Sequence, residues 1–123
     1  NWDKKYDEWV YLLTGMKNSP DYPRYARTSA LIYDMIFTQP VLYEFDQLKV
    51  PAVLIIGQRD RTALGKNMVD ESTAKKMGNY PELGKKTCNL IPDCTLIELD
   101  DIGHLPHIEN FPLFRRKLSE VIQ

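Results

Sequence analysis

The chain contains 123 residues, enough for one domain of ordinary size and too few for two complete ones. A hydrophobic content of 43% and a charged content of 27% are typical of a folded globular domain. Sixteen basic and 17 acidic residues leave a formal net charge of −1, so we expect no nucleic acid partner. The longest apolar run, Ala52 to Ile56, is far shorter than the roughly 18 residues of a membrane span, so none is predicted.

Two amphipathic helices are predicted in the first 40 residues. Apolar side chains between Trp2 and Leu13 recur at steps of three and four, which predicts a helix that ends near Gly15. After a turn at residues 18–21, a second helical pattern runs to Gln39, and Pro40 should stop it. Residues 41–49 have no clear period and are interpreted as a connection.

The remaining residues alternate between strands and helices. The β-branched run 52–56, closed by Gly57, is typical of a parallel strand covered on both faces, and residues 95–99 predict a second strand. Helices are expected at 66–77, with Gly78 as the C-cap, at about 81–91, and from about 110–112 to Ile122. Residues 100–109 are expected to form a loop.

The order of these elements predicts an α/β fold built around a βαβ unit of a parallel sheet. Two strands lack enough neighbours, and a fully apolar strand needs cover on both faces and partners on both edges. We therefore expect an incomplete sheet that is completed by a missing N-terminal half of the protein or by self-association of this chain.

Two polar loops should meet at one edge of this sheet. Asp60 follows the first strand and His104 follows the second, 44 positions later. Ligands of open parallel sheets bind at the carboxyl ends of the strands. A carboxylate on one ring nitrogen fixes the histidine tautomer and leaves the other nitrogen as a general base. Asp60 and His104 fit these two roles.

The same residues carry a family resemblance. The runs Val50-Pro-Ala-Val-Leu-Ile-Ile-Gly-Gln-Arg-Asp60 and Gly103-His-Leu-Pro-His-Ile-Glu-Asn-Phe-Pro112 resemble the C-terminal portion of an α/β-hydrolase. The resemblance implies that Asp60 and His104 are the acid and base of a catalytic triad in an esterase-like hydrolase. It also implies that residues 1–40 are the end of an inserted cap domain and that residues 41–123 are the C-terminal part of the core.

The nucleophile of such a triad has no match in this sequence. Family members place it upstream on a sharp turn, usually G-x-S-x-G, and neither Ser19 nor Ser29 has the flanking glycines. We therefore predict a fragment of an enzyme for ester or similar acyl substrates, inactive in isolation. Two alternatives stay open: an aspartate-nucleophile relative, such as an epoxide hydrolase or dehalogenase, and a binding module without catalysis.

The other polar and aromatic candidates are interpreted more simply. His104 and His107 form an H-x-x-H pattern, but no metal ion and no cofactor is predicted. Cys88 and Cys94 are interpreted as buried or inert thiols, and the cellular compartment, cytoplasmic, periplasmic or secreted, stays open. Arg59 and Arg61 are expected at the surface. Packing is the favoured role of the aromatic residues in the two leading helices, namely Tyr6, Trp9, Tyr25, Tyr33 and Phe37.

Overall fold

A computed structural model describes residues 2–122, so the outermost residues of the predicted segments 1–40 and 41–123 lie outside the described part. The chain divides into a helical unit, Asn1–Tyr43, and an α/β unit, Glu44–Gln123. The helices are α1 (Asp7–Lys17), α2 (Tyr22–Thr38), α3 (Glu71–Ala74), α4 (Tyr80–Leu90), α5 (Pro106–Glu109) and α6 (Phe111–Ser119), and the strands are β1 (Ala52–Gly57) and β2 (Cys94–Leu99). Short 3-10 helices span Lys4–Tyr6, Val41–Gln47 and Lys66–Met68.

The helical unit contains the two predicted helices with shifted ends. The Asp3 side chain accepts the Lys5 N–H and starts a 3-10 turn, so α1 begins at Asp7, and it continues past Gly15 to Lys17. Neither helix contains a buried residue among those described, and Leu31 and Phe37 are more than half exposed. No helix within residues 2–122 is long and apolar enough to cross a membrane.

The α/β unit is built on a sheet of two parallel strands. Their register runs from Ala52 paired with Cys94 to Gly57 paired with Leu99. Helix α4 connects the strands and packs against both of them. It approaches so closely that a Cβ atom at Gly84 would lie 2.9 Å from Cγ1 of Ile56. A glycine at this position therefore allows the helix to lie directly on the sheet.

The core of the α/β unit is small. Its buried hydrophobic residues, among those described, are Ile91, Leu99 and Ile102. Val53, the second residue of the apolar strand β1, remains 39% exposed. An apolar strand of a parallel sheet is normally covered on both faces, so this exposure fits an incomplete α/β fragment. The predicted fold class is confirmed: the chain is mixed α/β with a small parallel sheet and several helices.

The prediction of a single helix over residues 66–77 is wrong. The 3-10 helix Lys66–Met68 ends at Val69, whose backbone is extended, and α3 begins two residues later. The reason is Asp70, whose side chain accepts the backbone N–H of Thr73 at 3.0 Å and so starts a new helix. Gly78 adopts a left-handed conformation, with φ of +71°, but the C-cap of α3 is Lys75, so the predicted C-cap role of Gly78 is wrong.

Two segments predicted as irregular contain short helices. Residues Val41–Gln47 form a 3-10 helix within the predicted connection, and α5 occupies the end of the predicted loop 100–109. In α5 the proline lies in the first turn, where its missing N–H has no helical partner to lose. Pro106 therefore starts a helix inside the predicted loop.

The interpretation of the cysteines as free thiols is also wrong. Cys88 and Cys94 form a disulfide, with their Cα atoms 5.3 Å apart. Cys88 lies near the end of α4, and Cys94 is the first residue of β2. The turn between these elements brings the two side chains together, a proximity that six positions of sequence did not reveal. The disulfide thus links the last turn of α4 to the start of β2.

Candidate active site

The candidate site lies where the two parallel strands end. Beyond Gly57, the pairing continues into the loops, because the N–H groups of Gln58 and Arg59 donate to the carbonyls of Leu99 and Ile102, each at 2.9 Å. A Cβ atom at Gly57 would lie 2.5 Å from the Ile102 carbonyl oxygen and would also meet that of Gly103. The loop after β2 therefore passes directly over Gly57, which places the residue after Gly103 beside the loop after β1.

Asp60 and His104 meet at this place. Nδ1 of His104 lies 2.8 Å from Oδ2 of Asp60. Asp60 is buried, with 6% of its surface exposed, whereas the His104 side chain is 53% exposed. The predicted proximity at one edge of the sheet is therefore observed, whereas the catalytic roles of the two residues stay predictions.

Hydrogen bonds keep the Asp60 carboxyl ionised despite its burial. Burial alone raises its pKa, but the Thr62 N–H, the His104 ring and the Thr62 hydroxyl donate to the carboxylate and together hold the pKa below its ordinary value. Ionised Asp60 accordingly stabilises the fold above its unfolded-state pKa, and this contribution is lost as the pH falls through the lowered folded-state pKa.

The tautomer of His104 follows from the charge of its neighbour. An ionised carboxylate can only accept hydrogen bonds, so Nδ1 of the ring donates a proton to Oδ2 of Asp60. In the neutral ring this leaves the lone pair on Nε2, the nitrogen farther from the carboxylate. A half-exposed imidazole in this state can take a proton at Nε2, and Asp60 stabilises the imidazolium that forms.

A second carboxylate holds the backbone next to His104. Oε1 and Oε2 of Glu109, in α5, both accept the N–H of Gly103, at 3.1 and 3.0 Å. The guanidinium of Arg59 lies 4.0 Å from the same carboxylate. A Cβ atom at position 103 would come within 2.7 Å of Oε1 of Glu109, so a larger residue there would displace this carboxylate. Glu109 thus holds the Ile102–Gly103 peptide, one residue before the candidate base.

A cavity of about 340 Å³ opens beside the imidazole. It is lined by Thr62, Ala63, Leu64, Tyr80 and His104, all from the α/β unit. The Tyr80 ring centre is 6.2 Å from that of His104, with the planes inclined at 60°. The lining is mostly apolar, and its residues with polar side-chain groups are Thr62, Tyr80 and His104.

Within the α/β unit, the other described sequence candidates Arg61 and His107 have partners other than the Asp60 carboxylate. Arg61 donates from its guanidinium to the backbone carbonyls of Gln58 and Asp60 rather than to a carboxylate. The ring of His107 lies 5.9 Å from that of Phe114. Among residues 2–122, no group of three or more His, Cys, Asp or Glu side chains is arranged to hold a metal ion. The aromatic candidates and Ser19 and Ser29 belong to the helical unit.

Sequence reasoning missed Thr62 and Tyr80. Thr62 follows Asp60 by two positions, the spacing at which an aspartate accepts the N–H of a following residue in an Asx turn, so a local signal was present. Tyr80 lies at the start of α4, 24 positions before His104, and it reaches the ring only through the packing of that helix.

The chain is similar to a protein of known structure. That protein is described as a "probable hydrolytic enzyme" from Pseudomonas aeruginosa PAO1, and the two share 42% sequence identity with a TM-score of 0.95. The match covers 100% of this chain and 39% of that one, so this chain spans about two fifths of its length. No protein-family model matches this sequence, and a search of curated proteins finds no match.

Proposed function

We propose that this chain supplies the acid and the base of an α/β-hydrolase that cleaves esters or similar acyl substrates. The observation that carries the proposal is the 2.8 Å contact between His104 Nδ1 and Asp60 Oδ2 beyond the carboxyl ends of adjacent parallel strands. The similarity to a hydrolytic enzyme across the whole of this chain supports the same interpretation. Residues 1–40 would then be the end of a cap, and residues 41–123 the C-terminal part of the core.

In this proposal the nucleophile is a serine in a part of the protein outside these 123 residues. Its oxygen attacks the acyl carbon while its proton moves to Nε2 of His104, and the imidazolium then gives that proton to the departing alkoxide. A water molecule then attacks the acyl-enzyme and gives a proton to Nε2 of His104. The imidazolium returns that proton to the serine oxygen as the carboxylic acid is released. Asp60 remains ionised throughout and stabilises the imidazolium through Nδ1.

The cavity beside His104 is a suitable place for the group that leaves. The proton must pass from Nε2 to the oxygen of the leaving alcohol, so that alcohol has to lie next to the imidazole. Ala63, Leu64 and the Tyr80 ring offer apolar contacts on that side. An ester of an apolar alcohol therefore fits this surface better than a charged substrate.

The proposal is tested on the full-length protein that contains this chain. We expect hydrolysis of short p-nitrophenyl esters, covalent labelling of one serine by a fluorophosphonate, and loss of turnover in the His104→Ala variant. Hydrolysis of epoxides or haloalkanes without phosphonate labelling would replace the serine by an aspartate nucleophile. Binding of such compounds without turnover would instead make the protein a binding module.

The isolated 123-residue chain offers a complementary test. An acid and a base without a nucleophile and oxyanion donors cannot form an acyl-enzyme, so the chain alone should not hydrolyse activated esters. The assay compares this chain with its His104→Ala variant at equal concentration. Ester hydrolysis that depends on His104, together with phosphonate labelling of Ser19 or Ser29, would contradict the proposal that the nucleophile lies elsewhere.

A further inference from the structure

We infer that Thr62 is a positioning residue whose hydroxyl joins Asp60 and His104 into one hydrogen-bonded unit. The inference rests on the proposed function and adds to it a third side chain with a defined task. Thr62 Oγ1 lies 2.8 Å from Oδ1 of Asp60 and 2.9 Å from Nδ1 of His104. Its backbone N–H also donates to Oδ1 of Asp60, at 2.9 Å.

The direction of each hydrogen bond follows from the number of protons available. The hydroxyl has one proton, and the ionised carboxylate can only accept, so Thr62 donates to Oδ1 of Asp60. The hydroxyl oxygen then faces Nδ1 of His104 with a lone pair and accepts from the Nδ1 proton. That proton is shared between Oδ2 of Asp60, at 2.8 Å, and Oγ1 of Thr62. The network therefore favours the tautomer with its proton on Nδ1 and a free lone pair on Nε2.

The backbone around Thr62 is held independently of this network. The ammonium of Lys66 donates to the carbonyl of Arg61 at 2.8 Å and to that of Met77 at 3.2 Å. Gly78 approaches so closely that a Cβ atom there would collide with the carbonyl oxygens of Arg61, at 2.7 Å, and of Thr62. Lys66 and Gly78 thus fix the peptide of Thr62, so removal of its hydroxyl should change the network more than the loop.

The test compares Thr62→Val, which keeps the branched shape and removes the hydroxyl, with Thr62→Ser, which keeps the hydroxyl. In the full-length enzyme we expect Thr62→Val to lower kcat about tenfold, as one hydrogen bond to a charged group is worth, with KM within twofold. Thr62→Ser should stay within twofold of the wild type. The matched control is Thr28→Val in α2, whose hydroxyl donates to the Arg24 carbonyl of its own helix, 3.0 Å away, and it should leave kcat unchanged.

A spectroscopic readout separates a positioning role from a purely structural one. In proton and nitrogen NMR of the His104 ring, the low-field Nδ1 proton should shift in Thr62→Val and remain in place in Thr62→Ser and Thr28→Val. The kcat/KM profile against pH should move its acidic limb in Thr62→Val alone. Asp60 and the titratable and charged groups near the network are the same in all variants. These neighbouring groups include Tyr80, Glu109, Arg59, Arg61 and Lys66.

The outcomes distinguish this inference from the proposed function. If His104→Ala abolishes turnover but Thr62→Val has wild-type kcat and an unshifted Nδ1 proton, Thr62 has no positioning role and the proposed function stands. If His104→Ala keeps full turnover, the proposed function fails, and the NMR shift still decides whether the hydroxyl bonds the ring. If Thr62→Val does not fold, Thr62→Ala takes its place, and its kcat and Nδ1 proton shift decide the matter in the same way.

Discussion

Side-chain hydrogen bonds of the helical unit and of the candidate site differ greatly in the number of positions that they span along the chain. In the helical unit, hydroxyls such as those of Thr14 and Thr38 bond to carbonyls four positions earlier, within one helical turn. At the candidate site, Asp60 and Thr62 bond to a ring 44 and 42 positions away. Local contacts form wherever a helix forms, whereas the site exists only when β1 and β2 pair in register. The candidate site therefore depends on the pairing of the two strands, whereas the hydroxyl contacts of the helical unit do not.

The largest expected effect is at His104. Its replacement by alanine in the full-length protein should lower kcat by about 10⁴-fold, because the proposed general base is lost. The matched control is His107→Ala, three positions on, whose ring packs near Phe114 and should leave turnover within a few-fold. Stopped-flow or steady-state ester hydrolysis measures both. Equal losses of turnover in the two variants would show that His104 has no special role.

The next effect concerns the glycine beneath the site. Gly57→Ala would place a methyl group 2.5 Å from the Ile102 carbonyl oxygen, in backbone that has little freedom to yield. We expect the free energy of unfolding to fall by about 3 kcal/mol, with loss of turnover as the two loops separate. Chemical denaturation followed by circular dichroism measures the first, and ester hydrolysis measures the second. A variant with wild-type stability would show that the loop after β2 does not press on Gly57.

An intermediate effect is expected at the opposite end of the sheet. Replacement of both Cys88 and Cys94 by alanine removes a small covalent ring and should lower the free energy of unfolding by about 2 kcal/mol. Turnover should remain unchanged, because the disulfide is at the start of β2 and the site lies beyond its end. Free-thiol titration under denaturing conditions checks that the wild-type pair is oxidised. Two free thiols in the native protein would contradict the disulfide itself.

The smallest effect has the opposite sign and lies in the helical unit. Gly15 is inside α1, and a Cβ atom there would meet no atom within 4 Å. Gly15→Ala should therefore stabilise the protein by about 1 kcal/mol, since alanine is the better helix former. Thermal unfolding compares it with Gly57→Ala. A destabilised Gly15→Ala variant would indicate that this position is covered by another surface in solution.

Elements with strong local patterns were predictable from the sequence. The apolar run of β1, the period of α2 and the placement of Asp60 and His104 after consecutive strands are all local signals, and parallel pairing does the rest. The break at Val69 was missed because Asp70 competes with the helical period by capping a new helix. The disulfide was missed because it depends on how α4 turns into β2, which no single pattern encodes.

The finer geometry of the site was less accessible. The Asp60-x-Thr62 spacing indicates an Asx turn, but the contact of that hydroxyl with His104 requires the register of two strands. The bond of Glu109 to the Gly103 N–H depends on the short α5, which begins at a proline inside a predicted loop. Sequence patterns thus located the two principal residues, and the three-dimensional structure supplied their supporting contacts.

The disulfide has a consequence for the order in which the chain folds. A covalent ring between positions only six apart restricts the unfolded chain before any long-range contact forms. The pair Ala52 and Cys94 opens the strand register, so the ring lies directly beside the first rung of the sheet. We therefore expect strand pairing to start at this anchored end and to proceed toward Gly57 and Leu99. In that order, the contact between Asp60 and His104, just beyond the last strand pair, forms last.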